Sequence, residues 1–180
     1  TVGGNLCTAE FAAADLVPAL LCRDAEVEIL TVEGRETLSL DAFLALRTAL
    51  APVFLLTAVR FRRNRPLSAH ARLPQRKAGD YPVAIVSAAL EQGAGGTIGS
   101  AAIAVGSVEA VARRWRSLER AVEGLPIDAG RIGEVAQQLA GEFVGREGPE
   151  APSWYRSEVL PALVRRAFAR MQQQTGENRV

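Results

Sequence analysis

Apolar and polar positions change period along this chain at a few identifiable points. The first periodic segment is "DLVPALLCRD", a short apolar run that reads as a helix. Asp15 stands near its N-terminus, where a carboxylate accepts backbone N–H groups and complements the helix dipole. "AEVEILTVEGRETLSL" then alternates on either side of Glu33-Gly34, the pattern of a β-hairpin. "SLDAFLALRTAL" returns to helical spacing, with Ser39 or Asp41 as its cap. "VFLLTAVRFR" is apolar and then alternating, a strand that leaves the core at Arg60, Arg62 and Arg63.

Composition changes at "RRNRPLSAHARLPQRKAGDYP", which is basic, contains prolines and has few large aliphatics. A domain boundary is placed there, dividing residues 1–66 from residues 67–180. Beyond it, "VAIVSAALEQGAGGTIGSAAIAVGSV" reads as two strands joined through Gly93-Ala94-Gly95-Gly96. No helix opens after these glycines, so they make a plain hairpin turn and not a cofactor loop.

The remaining third is helical by pattern. Trp115, Leu118 and Val122 fall on one face, and Gly124 with Pro126 stops that helix. Ile132, Val135, Leu139 and Phe143 form the stripe of the next. "SWYRSEVLPALVRRAFARMQQQ" takes Ser153 as N-cap, and Pro161 ends or kinks it near Leu160. Tandem Arg165-Arg166 reads as a solvated face, with a partner-docking or phosphate-binding role as the alternative. The whole is an α+β chain.

With 180 residues, 48% hydrophobic content and a formal net charge of +1, the chain is long enough for one substantial core or two small ones. So small a charge supplies no long-range field toward DNA or an anionic membrane, and a single Phe, Tyr or Trp, Phe61, stands among the residues from Arg60 to Arg76, too few for a stacking surface. Nucleic acid is therefore set aside as a partner. No apolar run reaches the roughly 18 residues of a membrane span, and the N-terminus lacks a secretion signal, so the expectation is a soluble, cytoplasmic protein. Cys7 and Cys22 form no CxxC pair and have no histidine cluster near them, which leaves no metal site. His70, the only histidine, reads as a polar loop or strand residue. No Cys-His or Ser-His-Asp set stands out, so no catalytic residue is assigned.

The opening "TVGGN" reads two ways. Paired glycines allow positive φ and let a ligand approach the main chain, yet a bare Gly-Gly-Asn is more often a turn. Here the order of segments resembles a known family. "TVGGNLCTAEFAAADLVPALLCRDAEVEI", "TALAPVFLLTAVRF", "ARLPQRKAGDYPVAIVSAAL" and "WYRSEVLPALVRRAF" occur in the order found in the FAD-binding medium subunits of molybdenum hydroxylases, carbon monoxide dehydrogenase and xanthine dehydrogenase relatives among them. The resemblance covers nearly the whole chain. Its most specific part is TVGGN followed by Ala-Ala-Asp and an apolar helix, with "AGDYPVA" at the right distance.

The resemblance implies the end of the second FAD-binding subdomain (α/β), followed by a C-terminal domain of antiparallel sheet plus helices. The chain would then begin on a turn because the part of the flavoprotein ahead of it, with part of the flavin site, is absent. By the same resemblance Thr1, Gly3, Gly4 and Asn5 fall on the loop that meets the flavin. Asp15 falls on the next acidic contact, where this sequence carries one extra residue and lacks the usual proline. Leu56 falls on an apolar contact, and Arg72 on a position where relatives often carry lysine. FAD is the implied cofactor. An iron–sulfur small subunit with 2Fe-2S clusters and a large subunit with molybdopterin are the implied partners in a hetero-oligomer. The implied role is electron transfer through FAD to an external acceptor, with this chain inactive alone; the alternative is a flavin-free scaffold that docks partner subunits.

Overall fold

The computed structural model describes residues 1–50, 53–62, 64, 67–75 and 81–177. The alternating run after residue 25 folds as expected. Strands β1 (Glu26–Thr31) and β2 (Gly34–Ser39) pair antiparallel with Thr31 opposite Gly34. The loop is therefore Val32-Glu33, and Gly34 takes a φ of 130°, which side-chain-bearing residues avoid. Strand β3 (Leu55–Arg60) pairs with the other side of β1, giving the order β2-β1-β3. Period-two geometry sends Val27 and Ile29 inward, where both are fully buried. They meet Leu40, Phe43 and Leu44 of one helix together with Leu6 and Val17 of two others. These helices are α1 (Val2–Cys7), α2 (Leu16–Leu21) and α3 (Leu40–Leu50). Ser39 caps α3 by accepting from Ala42 N at 3.2 Å.

The second sheet is also antiparallel, in the order β4 (Leu67–Pro74), β5 (Pro82–Gln92), β6 (Ile98–Gly106) and β7 (Arg113–Arg114). Residues 82–90 of β5 are all buried because both faces of the strand are covered, which is why its sequence is a continuous apolar run. One face carries Ala84, Val86, Ala88 and Leu90 into a core with α4 (Arg116–Val122), α5 (Ala129–Leu139) and α7 (Leu160–Glu177). The other face contributes Ala89 and Ala104 to the core of the first sheet. Trp115, Leu118 and Val122 are fully buried as the stripe requires, and Phe143 meets the Trp115 ring edge-on at 4.9 Å.

Two helix boundaries differ from the sequence pattern, and the break expected near Leu160 is present. Helix α5 stops at Leu139, so Phe143 reaches the core from beyond a 3-10 turn and not from the α5 stripe. Helix α6 (Ser153–Glu158) begins at Ser153 with Pro152 in the cap position. The break falls at Val159, and Pro161 sits in the first turn of α7, where a missing N–H costs nothing. Arg165 and Arg166 are both exposed. Among the described residues no helix is long and apolar enough to cross a membrane. The 66/67 boundary, Arg63, and residues 78–80 of "AGDYPVA" lie outside the described residues.

An ionic network centred on the buried Arg114 joins the end of α2 to the second sheet. Arg114 of β7, 7% exposed, pairs through Nε with Glu119 of α4 and donates through Nη1 to Asp24 at 2.6 Å and to Leu21 O at 3.1 Å. It thereby fixes the C-terminal end of α2 against the second sheet. Cys22 lies beside it, and burial raises its thiol pKa to about 11, with Arg114 and Arg23 opposing the rise. A folded pKa above the ordinary 9.0 means that this thiol's contribution to stability is complete below pH 9.0 and is lost as pH rises toward about 11. Cys22 is therefore expected to resist a thiol-specific reagent at pH 8 until the protein unfolds. Native-state labelling followed by peptide mass analysis checks this, and rapid modification of Cys22 in folded protein contradicts it.

Candidate cofactor site

TVGGN is a helix start and not a turn. Thr1 caps α1, its Oγ1 accepting from Gly4 N at 3.0 Å, while Asn5 N and Nδ2 both donate to Thr1 O at 3.2 and 3.1 Å. Threonine is a strong cap, and here it sustains a helix through two poor helix formers. Neither Gly3 nor Gly4 has positive φ. What the glycines supply is space. A Cβ on Gly4 would stand 3.0 Å from Thr1 Oγ1, whereas one on Gly3 would have Leu56 Cδ2 as its nearest neighbour at 4.0 Å. Leu56 of β3 thus lies beside Gly3.

Two residues hold α1 in place. Leu6 is fully buried in the first core. Arg47 of α3, 5% exposed, donates to Leu6 O at 2.7 Å and to Ala9 O at 3.4 Å, so the carbonyl end of α1 and the segment after it rest on one guanidinium. Burial lowers the Arg47 pKa, and Cys7 opposes the shift. The sequence reading missed Arg47, because an arginine inside an apolar helix gives no sign of which carbonyls it will meet.

Asp15 occupies the cap position of α2 but has helical φ and ψ of −59° and −33° and makes no capping hydrogen bond. Its carboxylate lies against β4 instead. His70 Nε2 is 3.4 Å from Oδ1, and Arg72 Nη1 is 3.4 Å from Oδ2. His70 and Arg72 are two residues apart and so share one face of β4. Ser87 lies opposite His70 in the β4/β5 register, with its Oγ 2.8 Å from Nδ1. Ser87, His70 and Asp15 therefore stand in line, a set the sequence does not display. Ser87 is 1% exposed, beyond the reach of a substrate, so it supports His70 and is not a nucleophile. Helix α7 braces the strand from behind: Arg170 donates to His70 O, and Gln174 to Ser68 O at 3.2 Å.

The structure thus gathers the sequence-derived positions into two neighbouring groups. Thr1, Gly3, Gly4, Asn5 and Leu56 form one, and Asp15 with Arg72 forms the other; α1 and α2 pack against each other. Side by side, a guanidinium and a carboxylate match a flavin's pyrimidine edge, which carries carbonyl acceptors and an N–H donor. A Cβ on Gly3 would meet only Leu56 Cδ2, at 4.0 Å, so the surface beside Gly3 is open and apolar on that side. These residues fit FAD. The cleft by Phe11, Ala13 and Tyr81 measures about 230 Å³, below the roughly 300 Å³ at which pockets for drug-sized ligands begin. Among the described residues no group of three His, Cys, Asp or Glu side chains is placed to hold a metal ion.

Fold and site together define a flavoprotein module. Residues 69–171 match the family described as CO dehydrogenase flavoprotein C-terminal domain, and residues 1–61 match the FAD binding domain in molybdopterin dehydrogenase. The chain belongs to this CO dehydrogenase flavoprotein family and corresponds to part of its FAD-binding medium subunit. It is similar to reconstituted CO dehydrogenase from Oligotropha carboxidovorans, at 25% identity over 96% of this chain and 61% of that one, with a TM-score of 0.85. The cyanide-inactivated Cu,Mo-CO dehydrogenase shares the fold at 24% identity over 96% of this chain and 61% of the other, with a TM-score of 0.82. Quinoline 2-oxidoreductase from Pseudomonas putida 86 shares it at 21% identity over 97% and 61%, with a TM-score of 0.80. The chain spans 61% of the length of each of these solved chains. No curated protein sequence matches it.

Proposed function

We propose that the chain is the FAD-binding, electron-transfer part of a molybdenum hydroxylase-type oxidoreductase. Residues 1–66 form part of the FAD-binding domain, and residues 67–180 form the C-terminal domain of the flavoprotein subunit. The observation that carries this reading is the meeting of Asp15 and Arg72 at 3.4 Å, because it joins two cofactor positions drawn from separate parts of the chain. Thr1, Gly3, Gly4, Asn5 and Leu56 supply the adjoining wall.

FAD held by these residues would supply the redox chemistry that links a molybdenum centre to an external acceptor. The chain's own residues bind and orient. Arg72 donates and Asp15 accepts at the polar edge of the site, Leu56 keeps one face apolar, and Gly3 admits the ring system. No proton-transfer dyad is needed for this work. The iron–sulfur clusters and molybdopterin belong to a small and a large partner subunit of a hetero-oligomer.

Flavin titration tests the reading. The 180-residue chain, which presents one wall of the site, binds FAD weakly by itself. With the complementary segment of a full-length family flavoprotein it takes up FAD stoichiometrically and shows the visible flavin spectrum. A complemented chain that stays colourless is instead the flavin-free scaffold, and the proposal fails.

A further inference from the structure

We infer that His70, backed by Ser87, is a positioning residue that holds the Asp15 carboxylate in its binding orientation. The inference rests on the flavin-site reading above and assigns two residues to it that neither sequence nor family comparison provides.

Asp15 is poorly held by its own helix. It stands where a cap residue stands, yet it accepts no hydrogen bond from the first turn of α2, so local geometry does not fix its rotamer. Its two oxygens also differ. Oδ1 is shielded from water and accepts no hydrogen bond among the described residues, although the side chain as a whole is 41% exposed. A shielded carboxylate oxygen is costly unless a donor faces it. His70 Nε2 lies 3.4 Å from it without an aligned hydrogen bond, and a small turn of either side chain makes it that donor when Nε2 carries the proton.

Ser87 secures this condition. Its hydroxyl can donate to Nδ1 at 2.8 Å, leaving the ring proton on Nε2, on the Asp15 side. The opposite tautomer would turn a nitrogen lone pair toward a carboxylate. The brace is rigid because Ser87 is buried in β5 at a position paired with His70, and because Arg170 holds the His70 carbonyl from the other side of the sheet. With Oδ1 facing His70, Oδ2 faces Arg72 at 3.4 Å. A ligand then meets a carboxylate already fixed in place, which spares the cost of ordering it on binding.

The test uses FAD-loaded protein, complemented as above, with Asp15→Asn, His70→Ala, His70→Gln and Ser87→Ala compared by FAD dissociation constant and thermal midpoint. His70→Ala is expected to weaken FAD binding about tenfold, close to the effect of Asp15→Asn, and Ser87→Ala about threefold. His70→Gln, whose amide restores a donor, recovers most of the affinity, and the midpoints of the apo proteins stay together. Should His70→Ala not fold, His70→Leu supplies the donor-free comparison with His70→Gln. Wild-type FAD affinity in the donor-free variant beside a weakened Asp15→Asn overturns this inference alone, as does a Gln variant no better than the donor-free one. A wild-type protein that takes up no FAD overturns the flavin-site reading and this inference with it.

Discussion

Valine at position 3 is expected to lower FAD affinity by about 100-fold, or about 3 kcal/mol, while leaving the apo protein folded. Position 3 lies in the first turn of α1 with ordinary helical φ, so no backbone strain follows from a side chain there. The new Cβ meets nothing closer than Leu56 Cδ2 at 4.0 Å, and exchanging glycine for valine in a helix is close to neutral. The added methyl groups instead occupy the space beside Leu56 that the proposed flavin site would use. Gly4→Val makes an instructive contrast. Its Cβ would stand 3.0 Å from Thr1 Oγ1, so it disturbs the cap, worth about 1 kcal/mol, together with any binding surface. Gly3→Val therefore separates ligand exclusion from helix damage. Flavin titration and a thermal melt of the same sample check it, and unimpaired FAD binding by the Gly3 variant rejects the wall assigned to TVGGN.

Arg156→Leu is expected to cost about 3–5 kcal/mol of stability, which for a chain of this size is a fall in Tm of roughly 10 °C. Arg156 is fully buried and donates to Val83 O at 2.8 Å, Ser107 O at 3.1 Å and Glu150 Oε2 at 2.8 Å. Leucine keeps much of the apolar stem but takes the guanidinium donor from Val83 O, leaves Ser107 O with Arg146 Nε at 3.1 Å and takes one of its partners from Glu150. The Glu150 pKa is held down against a desolvation penalty by its own backbone N–H, by Arg146 and by Arg156. The consequence reaches the site, because this arginine clamps the start of β5 to the end of β6, and Ser107 N donates in turn to Ala12 O in the segment leading to Asp15. Urea denaturation measures the effect. A loss below about 1 kcal/mol shows that the guanidinium is replaceable by packing alone.

In the role proposed above, the chain's residues would position a cofactor, a task that needs no accessible nucleophile. The buried Ser87 fits this task. A serine, a histidine and an aspartate in line resemble hydrolytic machinery on paper, yet burial of the hydroxyl beneath the sheet turns the set into a brace.

Much of the fold was legible in the residue order because it depends on short-range physics. The hairpin at Val32-Glu33-Gly34, the β5/β6 hairpin through Gly93–Gly96, the Ser39 cap and the buried Trp115–Val122 stripe each follow from periodicity or turn chemistry within a dozen or so residues. TVGGN was misread as a turn because its glycines were weighed and Thr1 was not: one capping hydroxyl settled the local conformation. Asp15 was read as a helix cap from sequence position alone, and its real partners lie on β4. What only the tertiary structure decided is where polar groups find one another across the chain. The β4/β5 register sets His70 opposite Ser87, and a one-residue slip would send it to the other face. Arg47, Arg114 and Arg156 are buried because distant carbonyls and carboxylates converge on them, with separations of 41, 93 and 73 residues for three of the bonds. Apolar burial is non-directional and tolerates many partners, so its pattern is written into the local sequence. A hydrogen bond needs a particular atom at about 3 Å and a fixed angle, and only the folded chain brings that atom there.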